Sequence, residues 1–253
     1  MTYHAMLRLG MSPARLKAFT LSVDGGGEDL AQARRFLEAV GLAFLIEPVE
    51  ITSAEIDWRQ AVRTTEDYKP LDIQSASMAL ALCRGIRHRY PEWRWLIDGD
   101  GGDENLKDYP IEENPELTIR SVLNNLMLYQ EGWGVDSIKH SLTYSGGLSR
   151  GYTRTYAPAS QFAFEGFSPY TLPNVIAVAE AVPFIELTGW SHELLYDLKG
   201  DIVGRGVEAV TGYKMPVFPK RRFQHGAATR PAFERLFPIR ESEYRRAFHA
   251  IYE

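Results

Sequence analysis

The chain has 253 residues, of which 45% are hydrophobic and 24% charged, and its formal net charge at pH 7 is −5. This composition is typical of a soluble globular protein, and the acidic balance argues against nucleic acid or an acidic membrane as the main partner. The length allows one large α/β domain, or one domain with a helical half. Because no stretch has the roughly 18 consecutive apolar residues of a membrane span, we expect a cytoplasmic protein.

The first part of the chain alternates between helical and strand-like segments. Helical spacing of apolar residues predicts helices at residues 3–9, 28–40 and 72–89. Short β-rich runs predict strands at residues 16–23, 43–51 and 93–97. Strands that alternate with helices indicate a doubly wound parallel sheet. A glycine- and acid-rich turn at residues 24–29 separates the first of these strands from its helix.

The helix at residues 3–9 leads directly into the strand at residues 16–23. In a doubly wound sheet such a helix is a crossover, and a crossover needs a strand before it. A sheet without that inner strand would expose unpaired backbone. We therefore predict an α/β sheet that is missing its first strand.

From residue 115 onward the sequence becomes mostly helical, with helices predicted at residues 173–182, 193–198, 203–210 and 240–251. No strong linker separates this helical part of the sequence from the part in which strands and helices alternate. We therefore predict one composite domain, in which a helical portion at residues 115–253 packs on an α/β portion at residues 1–114. Cys83, the only cysteine, allows neither an internal disulfide nor a multi-thiolate metal site, and we expect it to be a buried thiol rather than a nucleophile.

The acidic turn at residues 98–104 is the most informative stretch, because ligands of open α/β sheets bind at the carboxyl ends of strands. Its glycines allow a tight turn and a close approach of the backbone to a ligand. Carboxylates this close together need a cation among them or a proton on one of them. Oxygen ligands suit magnesium, which commonly accompanies a phosphate. The acidic residues are Asp98, Asp100, Asp103 and Glu104.

Two other interpretations of this turn compete with a magnesium and phosphate site. One is an acidic turn that is merely solvated, and the residues alone leave it open. The other is a calcium loop of the EF-hand type, which we exclude because Asp103 stands where that loop requires Gly and Tyr109 where it requires Glu.

The acidic turn, followed by Tyr109, resembles the Ser-Gly-Glu-Gly-x-Asp-Glu…Gly-Tyr motif of asparagine synthetases. With the β-lactam synthetases, these enzymes belong to the N-type ATP pyrophosphatases. Further segments resemble the family in its own order. Residues 16–21 and 28–33 with Gly41 resemble its second strand, acidic turn and helix, and residues 154–159 and 166–170 resemble the segment that closes over the substrate. Residues 220–226 resemble the late Lys-x-x-Phe-x-x-Gly loop. The resemblance implies an adenine nucleotide alpha-hydrolase-like fold, with nucleotide binding in residues 1–114 and a helical synthetase portion in residues 115–253.

The same resemblance implies ATP and magnesium as cofactors and assigns roles to individual residues. Asp103 occupies the position of the magnesium-binding aspartate, and Asp100 that of a Glu thought to act in proton transfer. Lys220 occupies the position of a mobile lysine that stabilises the acyl-adenylate step and the pyrophosphate; without the motif it would be read as a solvated loop lysine. Adenylation builds up negative charge, which a cation and a lysine neutralise. The rest of the nucleotide-binding turn consists of Asp98, Gly99, Gly101 and Glu104.

Residues 145–149, Ser-Gly-Gly-Leu-Ser, are similar to the start of the family's Ser-Gly-Gly-x-Asp-Ser loop, which cradles the pyrophosphate. Ser149 stands where that loop requires Asp, and the stretch follows the acidic turn, whereas the family's loop precedes the strand at residues 16–23. We interpret it as a glycine-rich break between helices. The true loop, like the missing first strand, is expected outside this sequence.

Several positions depart from the family pattern. Asp98 replaces a Ser that would face phosphate, Asp100 is shorter than the family's Glu, and Phe167 stands where an Arg is frequent. The sequence also has no N-terminal cysteine and no glutaminase domain. These changes put asparagine itself in doubt as the product.

The sequence favours one subunit of a split ATP-dependent amide ligase, acting on a small-molecule carboxylate. A protein partner would supply the Ser-Gly-Gly-x-Asp-Ser loop, together with a glutaminase domain if glutamine is the nitrogen donor; nucleic acid and membrane are not expected partners. Two alternatives stay open at this point. One is a degenerate scaffold subunit of the same family, and the other is an active single-chain synthetase whose first segment is lost from this sequence.

Overall fold

The structure is a computed structural model that describes residues 1–102, 106, 152–189, 192–218 and 223–253. The chain divides into two compact units. The first consists of Met1–Arg94, Ala157–Phe164 and Val203–Glu253, and the second of Trp95–Tyr156 and Glu165–Ile202. Among the described residues, each unit contains helices and one pair of parallel strands, which confirms the mixed α/β class.

In chain order, the helices and strands of the described residues are α1 (Thr2–Arg8), β1 (Ala18–Val23), α2 (Asp29–Ala39), β2 (Ile46–Ile51), α3 (Trp58–Thr65), α4 (Pro70–Arg89), β3 (Trp95–Ile97), α5 (Ala157–Ser160), β4 (Glu165–Phe167), α6 (Pro173–Glu180), α7 (Phe184–Thr188), α8 (His192–Thr211), α9 (Phe223–Gly226), α10 (Arg230–Leu236) and α11 (Glu241–His249). A π-helical stretch, Tyr152–Tyr156, directly precedes α5. None of the helices described is long and apolar enough to cross a membrane.

In the first unit, β1 and β2 pair in parallel along their full lengths, from Ala18 opposite Ile46 to Val23 opposite Ile51. At the other edge of β1, the N–H of Val23 donates to the carbonyl of Ala227 at 2.9 Å. No strand among the described residues pairs with that edge. An inner strand missing from a doubly wound sheet stays a prediction, and the open edge of β1 is where such a strand would pair.

Helix α4 forms the centre of the first unit and packs on β1, β2, α3 and α5. Its buried side chains lie on several faces of the helix, as expected of a core helix rather than a surface one. They include Ile73, Met78, Leu80, Cys83 and Ile86. Burial raises the pKa of the Cys83 thiol to about 12, so the thiol stays neutral, and the prediction of a buried cysteine is confirmed.

Gly85 allows α4 to approach β2 closely, because a Cβ at this position would lie 2.2 Å from Cγ1 of Val49. We expect Gly85→Ala to lower the free energy of unfolding by about 1–2 kcal/mol, since overpacking outweighs the gain in helix propensity. Gly206→Ala on α8 is the matched control, because its Cβ would meet nothing within 4 Å, and it should stabilise by about 0.5 kcal/mol. Urea denaturation measures both changes, and shifts of the same sign would contradict the packing argument.

The predicted elements need few corrections. The strand predicted at residues 43–51 begins at Ile46, after a 3₁₀ turn at Ala43–Leu45. The helices predicted at residues 193–198 and 203–210 are one continuous helix, α8, because a glycine such as Gly200 weakens a helix without ending it. Strand β4 and five short helices were not predicted, namely α3, α5, α7, α9 and α10.

Candidate active site

The acidic turn follows β3 in the second unit, as the sequence predicts. Strand β3 pairs in parallel with β4, from Trp95 opposite Glu165 to Ile97 opposite Phe167. The pairing continues one step further, because the N–H of Asp98 lies 3.4 Å from the carbonyl of Phe167. Since the two strands run in the same direction, their carboxyl ends bring the acidic turn together with the residues that follow β4.

The first residues of the turn hydrogen-bond among themselves. Oδ1 of Asp98 accepts from the N–H of Asp100 at 3.0 Å, and the N–H of Gly102 donates to the carbonyl of Gly99 at 3.2 Å. Gly101 has a φ of 83°, in the left-handed region that a residue with a side chain rarely adopts. A Cβ at Gly99 would meet nothing within 4 Å, so the turn is open at that position, as binding of a ligand requires.

Two hydroxyl groups fix Asp100. Oγ1 of Thr155, in the π-helical stretch, donates to Oδ2 of Asp100 at 2.7 Å. Oγ of Ser168, a fully buried residue just after β4, donates to the backbone carbonyl of Asp100. The carboxylate therefore has one oxygen held by a donor, and its backbone is tied to the end of β4.

Asp98 is the electrostatically unusual group of the site. Burial, and next the charge of Asp100, raise its pKa to about 6, and hydrogen bonds from Asp100 and Ser168 lower it less. Oδ2 of Asp98 is buried and has no hydrogen-bond partner in the described part of the chain. Burial and then the charge of Asp98 also raise the pKa of the Tyr156 hydroxyl. A proton on Asp98, or a hard cation beside it, would remove the free-energy cost of burying this charge next to that of Asp100.

The structure therefore brings together four of the predicted site residues, namely Asp98, Gly99, Asp100 and Gly101. Asp103, Glu104 and Lys220 lie outside the described residues, as does the stretch at residues 145–149. Within the described ranges, no group of three or more His, Cys, Asp or Glu residues could hold a metal ion. An unpartnered carboxylate oxygen on Asp98 is nevertheless a donor of the type that magnesium prefers.

Sequence reasoning did not single out Thr155, Ser168 or Tyr156. The available signal was that the segments at residues 154–159 and 166–170 resemble the part of the family that closes over the substrate. Hydroxyl residues within those segments are the ones that contact the acidic turn. Their pairing with Asp100 spans 55 and 68 residues of sequence, a separation at which no local pattern gives the partner.

Comparison with known proteins gives one match. A family model described as asparagine synthase matches residues 5–165, more than half of the chain. The matched part includes β1 to β3 and the acidic turn, and it ends before the segment at residues 220–226. Neither a curated protein nor a solved structure matches the chain significantly.

Proposed function

Because this chain belongs to the asparagine synthase family, we propose that it catalyses ATP-dependent amide formation. A carboxylate oxygen of the substrate attacks the α-phosphate of ATP, and pyrophosphate leaves. An amine or ammonia then attacks the acyl carbon of the adenylate, and AMP leaves. The observation that carries the proposal is the pair Asp98 and Asp100 at the carboxyl ends of two parallel strands, with Thr155 holding the second carboxylate.

In this proposal Asp100 is the base that accepts a proton from the attacking amine. Thr155 donates to one of its oxygens and leaves the other for the incoming N–H. Lys220 stabilises the negative charge that builds up as pyrophosphate leaves. Magnesium, when bound, would neutralise the phosphates, with Asp103 as its ligand and Oδ2 of Asp98 as a further oxygen donor in the same turn.

We also propose that the chain works with a pyrophosphate-binding loop that comes from outside the 253 residues. The sequence contains no Ser-Gly-Gly-x-Asp-Ser, and the edge of β1 opposite β2 pairs with no strand of the described residues. A parallel strand at that edge would place the loop that follows it at the carboxyl ends of β1 and β2. A partner chain, with a glutaminase domain where glutamine is the nitrogen donor, is the source we propose; another part of the same polypeptide is the competing source.

One observation favours a second function, that of a non-catalytic scaffold subunit. Asp98 stands where the family has a Ser that faces phosphate, and its carboxylate is buried beside that of Asp100. A negative charge there repels phosphate unless a proton or cation neutralises it. A scaffold subunit would tolerate this substitution without compensation.

Formation of AMP by the assembly that supplies the loop distinguishes the two functions. We expect Asp103→Asn and Lys220→Ala each to lower the rate about 100-fold or more, because each removes a charge that acts on the transition state. Lys214→Ala is the control, since Lys214 is an exposed lysine of the segment between α8 and α9, and it should leave the rate unchanged. Full activity in both site variants would establish the scaffold function.

A further inference from the structure

An open cavity of about 440 Å³ lies in the first unit, between the segment that leads from β2 into α3 and the helix α10. One wall comes from residues within the stretch 53–59, and the other from Ala232, Arg235 and Leu236. The volume is in the range of small-molecule sites. The stretch 53–59 follows the carboxyl end of β2, which is where ligands of open α/β sheets bind.

Two arginines line this cavity, Arg59 and Arg235, and we call it the arginine cavity after them. Within the described part of the chain, neither guanidinium makes an ion pair or a hydrogen bond. Asp57 adds one carboxylate to the lining, which leaves the walls with a net positive charge. This local balance is opposite to that of the whole chain, whose formal net charge is −5.

The carboxylates close to these arginines in sequence have other partners. Oδ1 of Asp57 accepts from the backbone N–H of Arg59 at 2.9 Å, and its Oδ2 lies 3.6 Å from the guanidinium of Arg63. Glu234, on α10, pairs with Arg230 at 2.8 Å. The described residues therefore supply no counter-charge to the two guanidinium groups of the cavity, and an anion from outside the chain would supply it.

Both arginines extend from helices that are packed on the core. The guanidinium of Arg59 lies over the indole of Trp58, 4.5 Å from the ring centroid. Trp58 is buried, and its ring packs on that of Tyr244 at 5.0 Å between centroids. A guanidinium stacked on a ring keeps its N–H groups in its own plane, where they can donate to an acceptor. Arg235 belongs to α10, which the buried Ala232 joins to the core.

The remainder of the lining is largely apolar. Ile56 and Leu236, both half-buried, and the buried Ala232 contribute aliphatic surface. A bare inorganic ion at the arginines would leave this surface in water, whereas an anion with an apolar body would cover it. The lining therefore favours an organic anion.

We propose that the arginine cavity binds a small organic anion, whose carboxylate or phosphate group accepts hydrogen bonds from Arg59 and Arg235 and whose apolar body lies against Ile56 and Leu236. The fork of N–H donors on a guanidinium matches the oxygens of either group. Carboxylate and phosphate share this chemistry, so the choice between them is left to the experiment. The inference uses residues of the first unit alone and does not rest on the proposed function.

Isothermal titration of the protein with two matched pairs of probes tests the binding. The pairs are phenyl phosphate with inorganic phosphate, and phenylacetate with acetate. We expect one organic anion or both to bind about tenfold more tightly than the corresponding bare ion, because the phenyl group covers the apolar lining. The organic anion that binds more tightly identifies the head group. Binding of neither organic anion, or equal affinity within both pairs, would overturn the proposal.

Variants of the arginines show whether the probe binds in this cavity. We expect Arg59→Gln and Arg235→Gln each to weaken binding of the tighter probe about tenfold or more, because each removes a charged hydrogen-bond donor. Arg240→Gln is the matched control, since Arg240 is exposed and does not line the cavity, and it should leave the affinity unchanged. The same loss of affinity in all three variants would indicate attraction to charge in general and would overturn the proposed site.

Chemical protection locates the probe in the wild-type protein, without relying on the fold of any variant. Phenylglyoxal modifies exposed arginines, and mass spectrometry of the digested protein gives the rate at each one. At about ten times its Kd, the tighter probe should slow modification of Arg59 and Arg235 about tenfold and should leave Arg240 unaffected. Binding of the probe without protection of Arg59 and Arg235 would place it elsewhere and overturn the proposal.

Discussion

Asp100→Asn is expected to lower the rate of amide formation by at least about 100-fold while leaving adenylate formation within about threefold of wild type. The variant keeps the size of the side chain and an oxygen that can accept from Thr155, but it removes the base that takes the proton of the attacking amine. Single-turnover measurements separate the two steps, because AMP accumulates only after the amine attacks, whereas pyrophosphate is released during adenylation.

Two further variants show whether Asp100→Asn acts by removing a base or by disturbing the fold. Glu186→Gln alters an exposed acid of α7 in the same unit and should leave both steps unchanged. Thr155→Val removes the donor to Oδ2 of Asp100, so it should slow the amine step by about tenfold without abolishing it. If Asp100→Asn slowed pyrophosphate release as much as AMP formation, the assignment of Asp100 as the base for the amine would be wrong.

The second large effect concerns stability and is independent of any substrate. Asp98→Asn is expected to raise the free energy of unfolding by about 2 kcal/mol at about pH 7.5, and by nothing measurable at about pH 3. The reason is that the pKa of Asp98 rises from 3.8 to about 6 on folding, chiefly through burial and then through the charge of Asp100. Asparagine has nearly the same shape and carries no charge to desolvate.

The sign of this effect follows from where the protons bind. Between 3.8 and about 6, the folded chain holds a proton on Asp98 that the unfolded chain has lost, so the stability of wild type falls as pH rises through that window. Above about pH 6 the full free-energy cost of the buried charge is present, and below pH 3.8 Asp98 is protonated in both the folded and the unfolded chain. Urea denaturation across this range measures the difference, and a gain from Asp98→Asn that is equal at all pH values would contradict the buried-charge explanation.

Magnesium gives an independent check on the same residue. If a cation binds beside Oδ2 of Asp98, millimolar magnesium should stabilise wild type at neutral pH and should stabilise Asp98→Asn less, because the variant has lost a charged oxygen ligand. Calcium at the same concentration is the natural comparison. Equal stabilisation of both proteins by magnesium would place the ion away from Asp98.

The elements that could be predicted from sequence are the long and regular ones. Helical spacing located α1, α2, α4 and α11 to within a few residues, because each has a clear pattern or a proline or acidic start. Strand β4 has only three residues and no alternating pattern, so nothing in the sequence distinguished it from a loop. The apparent break in α8 arose because a glycine was read as a helix end, although the helix continues through Gly200.

The candidate site could be predicted only where its residues are adjacent in sequence. The acidic turn stands out because carboxylates and glycines are concentrated within a few positions after a strand. The contacts of Asp100 with Thr155 and Ser168 join residues distant in sequence, and they depend on the pairing of β3 with β4.

The central claim is that this chain works with a pyrophosphate-binding loop that its 253 residues do not contain. Native mass spectrometry of the untagged protein from its own source, with sequencing of everything in the same particle, tests that claim most directly. We predict a defined assembly in which a second chain, or a further part of the same polypeptide, carries Ser-Gly-Gly-x-Asp-Ser. A stable monomer of these 253 residues with no such loop in the particle would contradict the claim and leave the scaffold function in its place.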